Sequence, residues 1–562
     1  MPSPLRPPLL LAALLAFALP ARAQRAVTAG TEERARQAVA ESAVALGAAE
    51  RADAGTLAVT DAHADPTTGL TFVYLAQTLG GVVVDAGRVV VGLGQDGAPF
   101  HVAGTLVPDI ASARPQMPAL SAAEAGVAAA RAAAPGTAAA DGADLVYVVD
   151  GGGSLRLAWR VLLPETVGAD GPHRWRVDVD AATGAEIARA DLVLREGDPG
   201  LHGPVGAARP DALADVAPLA EQSPFAPLAL AASYRVYALP TESPTHAGDP
   251  ATDLRTLVAD PHDALASLYG WHDTNGAVGA EHTTTRGNNV DAAPHAGTGQ
   301  TAPNGGPGLT FSFPFDPTLE PAANLNAAVT NAFYWLNVAH DVLYRYGFTE
   351  GAGDFQQNNY GRGGRAGDAV GVTVQEPAAI NNGYMATPVD GLPPTLLLGR
   401  WTYTAPERDI AFDASVVVHE YAHGLSNRLV GGPSAFCLGD LEQPGEGWSD
   451  LVAMLLTMRP GDNRHTPRGI TAYGTGQPPG GTIRPAPYAA DFAINAYTYG
   501  DTRTLLGPHR VGFVWATAVW EATWDLIDAY GFSPDVYDAA GTAGNQIALR
   551  LLVTGLKLTP CA

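Results

Sequence analysis

The residues of this chain best suited to chemistry are two histidines four apart with a glutamate between them, in His419-Glu420-Tyr421-Ala422-His423. On a helix, His419 and His423 project from one face and can share a cation. Glu420, turned by roughly 100° from His419, then sits beside that cation, where a carboxylate can take a proton from a polarised water. A hydrolytic zinc site needs three protein ligands and one open position. Glu446, within Gly445-Glu446-Gly447-Trp448-Ser449-Asp450, supplies the third ligand from a second helix. Asp450, one turn further on, can accept the outer N–H of a ligating imidazole and fix its tautomer. An isolated H-E-x-x-H arises by accident, and ordinary histidines on a helix are the competing explanation. The order of ligand pair, base, third ligand and orienting acid separates the two.

These groups converge only if helices hold them. Asp413 is the candidate N-cap of the first, and Gly431-Gly432-Pro433 is its stop, since glycine tolerates the left-handed exit and proline cannot continue a helix. The second helix is expected to end near Pro460-Gly461, followed by a Pro/Gly-rich loop from Gly474 to Pro487. Apolar residues at helical spacing predict two more helices, Asn324 to Tyr346 and His509 to Tyr530. His340-Asp341 lies in the former. With no accompanying motif, His340 is expected to be a hydrogen-bonded core residue rather than a ligand.

The longer motifs resemble the fungalysin family of secreted zinc metallopeptidases. They include His419 to Pro433 (HEYAHGLSNRLVGGP), Gly445 to Asp450 (GEGWSD), Ala232 to Tyr237 (ASYRVY), Gly270 to Asn275 (GWHDTN), Thr283 to Asn289 (TTTRGNN) and Trp401 to Thr404 (WTYT). The resemblance runs from about Ala232 to Cys561 and is weaker through the N-terminal third. It implies an α+β, thermolysin-like metallopeptidase with a β-rich subdomain before the zinc helix and a helical one after it. It implies that His509, in Pro508-His509-Arg510-Val511-Gly512, hydrogen-bonds the transition-state oxyanion. It implies also that Asn382 and Gly383 belong to an edge strand holding substrate backbone, although the same residues suit a tight turn. Two departures stand out. No tyrosine between His423 and Glu446 can act as a second oxyanion donor, and the family pattern continues past Cys561 where this chain stops at Ala562, so a C-terminally truncated domain is one reading. Calcium is left open, because the acidic residues Asp409 and Asp413 have no spacing that specifies it.

Composition narrows the partners. A net charge of −24, with Lys557 the only lysine, opposes binding to nucleic acid, whose phosphates such a surface repels. Arg6, the apolar run Leu9 to Leu19 and Ala21-Arg22-Ala23 read as a secretory signal over residues 1–23. No later stretch of about twenty apolar residues predicts a membrane anchor. The two cysteines, Cys437 and Cys561, favour a disulfide in an exported protein, with two unpaired thiols as the alternative. Such a bridge would be worth about 4–5 kcal/mol on the chain-entropy account.

Residues 24–230 read as a propeptide. Gln24 to about Thr68 is expected to be helical and then irregular. β-Branched runs from Gly69 to Val107 and from Leu145 to Asp180, with an alanine-rich helix over Ser121 to Ala134, predict one or two small α+β modules. About Leu192 to Leu230 is expected to be a linker. An independent binding module that stays attached is the other reading of this third. Residues 231–562 would then be the catalytic domain. The combined expectation is a secreted zinc endopeptidase made as a zymogen, acting on proteins or peptides and inhibited by its own propeptide. A zinc aminopeptidase on the same site, or a non-catalytic secreted binding protein on a protease scaffold, are the alternatives.

Overall fold

A sheet and two small helices precede the larger, helix-rich region. The computed structural model describes residues 27–48, 55–134, 140–168, 171–195, 231–439 and 443–561, and the signal-like residues 1–23 lie outside them. Helix α1 (Ala29–Ser42) starts at Thr28, whose side chain accepts the Thr31 N–H. Strands β1 (Leu57–Ala64), β2 (Thr71–Leu79), β3 (Val82–Leu93) and β4 (Pro99–Gly104) follow as an antiparallel meander. Helix α2 (Ala122–Ala133) opens on a full capping box of Ser121 and Glu124. After it come β5 (Gly142–Val149), β6 (Leu155–Leu162), a separate hairpin of β7 (Thr166–Gly168) and β8 (Gly171–His173), then β9 (Trp175–Asp180) and β10 (Glu186–Asp191).

All but the hairpin form one eight-stranded sheet, ordered β1-β2-β3-β5-β6-β9-β10 with β4 on β3. Its two halves meet through a single parallel pair, Val84 and Tyr147. Each half covers its own face: Ala35 and Val39 of α1 pack on Val73, Leu75 and Val91, while Ala125 and Ala129 of α2 pack on Val161 and Val177.

One expectation fails here, and a second is altered at its start. The stretch before Thr68 is not irregular after its helix, because Leu57–Ala64 pairs along the length of β2; its alanines and aspartate carry little strand propensity and the neighbour supplies the order. The segment read as linker begins with β11 (Val193–Arg195), whose partner lies far along the chain, and residues 196–230 fall outside the described residues.

The second region starts with β12 (Ser233–Val236), flanked by β13 (Thr256–Ala259) and later by β15 (Thr310–Phe311). A five-stranded mixed sheet is built from β14 (Val290–Pro294), β16 (Val370–Val374), β17 (Gly383–Ala386), β18 (Thr395–Leu398) and β11, in the order β11-β17-β18-β16-β14. Behind it lies α3 (Leu325–Arg345), buried all round except at Asn326 and Arg345. Helix α4 (Ala414–Leu429) has all its residues buried, as does α5 (Gly445–Leu456), and α6 (Pro508–Tyr530) and α7 (Gly544–Leu558) pack against them. The fold is therefore mixed α+β. Helices buried on every side need neighbours on every side, and α4 has them in α3, α5, α7 and β17.

Candidate metal centre

Local chemistry fixes where α4 begins and ends. Asp413 caps it, accepting the Ser415 N–H at 3.2 Å and the Ser415 hydroxyl at 2.7 Å. Gly431 leaves it at φ +72°, and its N–H donates to Thr559 O at 3.0 Å, tying the exit to the C-terminal tail. Between these ends the imidazoles of His419 and His423 stand edge to face with centroids 4.6 Å apart.

Helix α5 brings Glu446 to them. Its Oε2 lies 3.1 Å from His419 Nε2 and 3.5 Å from His423 Nε2, and one ligand atom from each of the three falls within 4.8 Å of the others. All three side chains are buried. The donor set fits zinc, which takes imidazole nitrogen and carboxylate oxygen together. His419 Nδ1–H donates to Asp450 Oδ1 at 2.8 Å, which leaves Nε2 as the nitrogen with a lone pair to offer. Among the described residues no other three His, Cys, Asp or Glu side chains gather this closely.

Asp450 is itself held. Arg484 grips it with two bonds, Nε to Oδ2 and Nη2 to Oδ1, each 2.8 Å, and Tyr488 Oη donates to Oδ2. Burial works to raise the Asp450 carboxyl, but Arg484 and His419 outweigh it and hold it well below the ordinary range. Burial likewise opposes ionisation of Glu446, and the positive fields of His509 and His423 with the hydrogen bond from His419 overcome it. Both acids are thus anionic, the form in which a carboxylate can ligate a cation or orient an imidazole.

His509, in the first turn of α6, reaches the same place: its Nε2 is 3.5 Å from Glu446 Oε2. Two glycines permit this. A Cβ on Gly447 would collide with the Gly512 carbonyl, and one on Gly512 would sit 2.5 Å from Gly447 N, so α5 and α6 touch backbone to backbone beside Glu446.

Glu420 is fully buried and faces β17, where a Cβ on Gly383 would come within 2.5 Å of its Oε1. Asn382 is also buried, and its Oδ1 accepts the Gly383 N–H at 3.0 Å. Along the outer edge of β17 runs β11, antiparallel, pairing Val193 with Ala386, Leu194 with Met385 and Arg195 with Tyr384.

The remaining candidates lie elsewhere. His340 is buried in a polar cluster, with Nδ1 2.9 Å from Asp341 Oδ1 and Nε2 3.5 Å from Asp354 Oδ2; burial alone would lower it, but these two acids push it up to about 9. Asp409 accepts from Gln375 and from the Ala411 N–H, so this acid and Asp413 are both engaged in local hydrogen bonds. Cys437 and Cys561 form a disulfide with their Cα atoms 4.9 Å apart. Sequence reasoning missed Arg484 and Tyr488, which lie in or just past a stretch whose prolines and glycines read only as loop. The Gly447–Gly512 approach left a faint trace: glycine inside a helix is disfavoured unless something comes close.

A family model described as fungalysin metallopeptidase (M36) matches residues 233–562, and one described as the fungalysin/thermolysin propeptide motif matches 55–106. The chain belongs to the fungalysin metallopeptidases. The extracellular metalloproteinase MEP of Neosartorya fischeri is 36% identical over 439 residues, covering 75% of this chain and 60% of that relative. The extracellular metalloproteinase mep of Aspergillus niger is 33% identical over 547 residues, covering 89% of this chain and 77% of the relative. That of Pyricularia oryzae is 39% identical over 350 residues, covering 59% and 53%. The chain thus spans about 60% of the length of the first of these fungalysin relatives.

Proposed function

We propose that the chain is a secreted zinc endopeptidase made as a zymogen, with a signal over residues 1–23, a propeptide over 24–230 and a thermolysin-like catalytic domain over 231–562. In that domain a β-rich part precedes α4 and a helical part follows it. The observation that carries the reading is the convergence of His419, His423 and Glu446 within 4.8 Å, with Glu420 beside them facing the strand that contains Gly383.

His419, His423 and Glu446 would hold one zinc ion per chain, and that ion would polarise the scissile carbonyl and acidify a water. Glu420 takes the proton of the attacking water and passes it to the leaving amine. Its burial keeps that transfer out of bulk solvent. His509 donates to the oxyanion of the tetrahedral intermediate. Asp450, fixed by Arg484, keeps His419 in the tautomer that ligates. Backbone of the substrate adds to the edge of β17 at Asn382 and Gly383, so recognition is by main chain more than by sequence.

The pairing of β11 with β17 supports the propeptide reading, because it lays the chain's own backbone along the edge a substrate would use. The names of the relatives, which say extracellular metalloproteinase, agree with secretion. In the test, purified protein is given casein and internally blocked peptides, with and without a zinc chelator. Cleavage of the blocked peptides that stops on chelation is expected; cleavage only from a free N-terminus would make it an aminopeptidase. Glu420→Gln should keep its zinc by mass spectrometry and lose about 100- to 10,000-fold in turnover. Wild-type turnover in that variant would remove Glu420 as the base.

A further inference from the structure

The N-terminal region also meets the rest of the chain at the two segments that carry the cysteines. Asp65, just after β1, places Oδ2 2.6 Å from Lys557 Nζ, and both side chains are fully buried. Lys557 is the only lysine of the chain; it lies in the last turn of α7 and also donates to Gly347 O at 2.6 Å. The end of α7 has backbone carbonyls with no partner inside the helix. Two of them are met from the sheet: Tyr74 Oη donates to Lys557 O at 3.1 Å, and His101 Nε2 lies 2.9 Å from Leu558 O. Cys561 follows a few residues on.

The other segment is gripped from the same side. Gly432 lies flat against the Tyr74 ring, where a Cβ would approach its Cγ to 2.7 Å. Ser434 Oγ donates to Asp61 Oδ1 at 2.9 Å. Arg176 of β9 donates to Phe436 O at 3.4 Å, with its guanidinium 4.9 Å from the centroid of the Phe436 ring. Cys437 is the next residue. Burial and Lys557 push nearby His63 down to about 3, so no second cation competes for Asp65.

We propose that the surface around Lys557 and the Gly432–Phe436 turn is a docking site for the chain's own N-terminal modules, and that the docked modules hold Cys437 and Cys561 within reach of each other while their disulfide forms. The sequence separation is 124 residues, and within the second region the Gly431 N–H to Thr559 O bond already draws the two segments together, so the grips from the sheet add to that tie. The reaction needs a disulfide donor such as oxidised glutathione. One cysteine thiolate attacks it, releasing a glutathione thiolate and leaving a mixed disulfide. The thiolate of the other cysteine then displaces the second glutathione, so two protein thiols are oxidised as one glutathione disulfide is reduced to two thiols. This goes beyond the proposed activity and does not need it.

The test measures the effective molarity of the two thiols in the full-length Glu420→Gln chain. The folded protein is reduced and re-equilibrated in glutathione buffers, and the bridged and open forms are counted after alkylation; intact mass shows that the chain is uncut. Asp65→Asn should lower the effective molarity at least tenfold, the ratio that about 1.4 kcal/mol produces. Leu194→Pro, which breaks the pairing of β11 and not this face, should leave it within twofold. If Asp65→Asn loses its near-UV circular dichroism, the milder pair Ser434→Ala with Arg176→Ala decides by the same threshold. An unchanged effective molarity in the folded clamp variants, or an equal fall with Leu194→Pro, overturns the proposal.

Discussion

The N-terminal sheet and the helical metal centre are built on opposite principles. In the sheet, each half has one helix-covered face and a small core of alanine, valine and leucine, and many side chains are partly exposed. In α4 and α5 every residue is buried, and the interior contains imidazoles, carboxylates and a guanidinium that partner one another. Breaking a polar interaction at the rim of the sheet lets water take the place of the missing group. Removing a partner from the metal centre strands a charge where water cannot reach it. Reactivity is concentrated where the structure tolerates least change.

Truncation at Arg484 gives the sharpest contrast. Arg484→Ala leaves Asp450 buried without its cation, and about 3–5 kcal/mol of folding stability should be lost in a denaturant titration. A loss below about 1 kcal/mol would mean that water replaces the guanidinium and that the centre is less dry than its burial implies. Next in size, Asp450→Ala should weaken zinc binding about 10- to 100-fold in a competitive chelator titration. Unchanged affinity would show that His419 needs no orienting acid. Smaller still is Ser121→Ala at the head of α2, expected to cost about 1 kcal/mol as a lost N-cap. If that exposed change matched Arg484→Ala, the comparison between the two regions would collapse.

The pH response sharpens it from another side. Asp413, at the head of α4, is fully buried; burial, with Glu242 nearby, pushes its carboxyl up to about 7 against the hydrogen bonds from Ser415. A group raised on folding contributes stability that is complete below its ordinary value of 3.8 and is lost as pH rises through about 7. Thermal stability should therefore fall between about pH 4 and 7, and Asp413→Asn should flatten that slope. An equal slope in the variant would assign the effect to other groups.

Legibility in the sequence followed the same division. The boundaries of α4 could be read because Asp413 and Gly431 act locally, and the gathering of His419, His423 and Glu446 because H-E-x-x-H and G-E-x-x-x-D are helical spacings. Asn324 to Tyr346 was readable within a residue at each end, since its apolar repeat is long. What escaped depends on partners distant in the chain. Three residues of β11 carry no period, and only β17 makes them a strand. Arg484 looks like any loop arginine until Asp450 is seen beneath it. β1 was missed for the converse reason: Leu57–Ala64 has weak strand character of its own and takes its order from β2.

The pairing of β11 with β17 has a consequence beyond the proposed site. An uncovered sheet border is open to a second molecule's border, which is how strands begin to stack into insoluble fibres. While Val193–Arg195 covers it, that border is closed to other chains during synthesis and export, when many copies are crowded together.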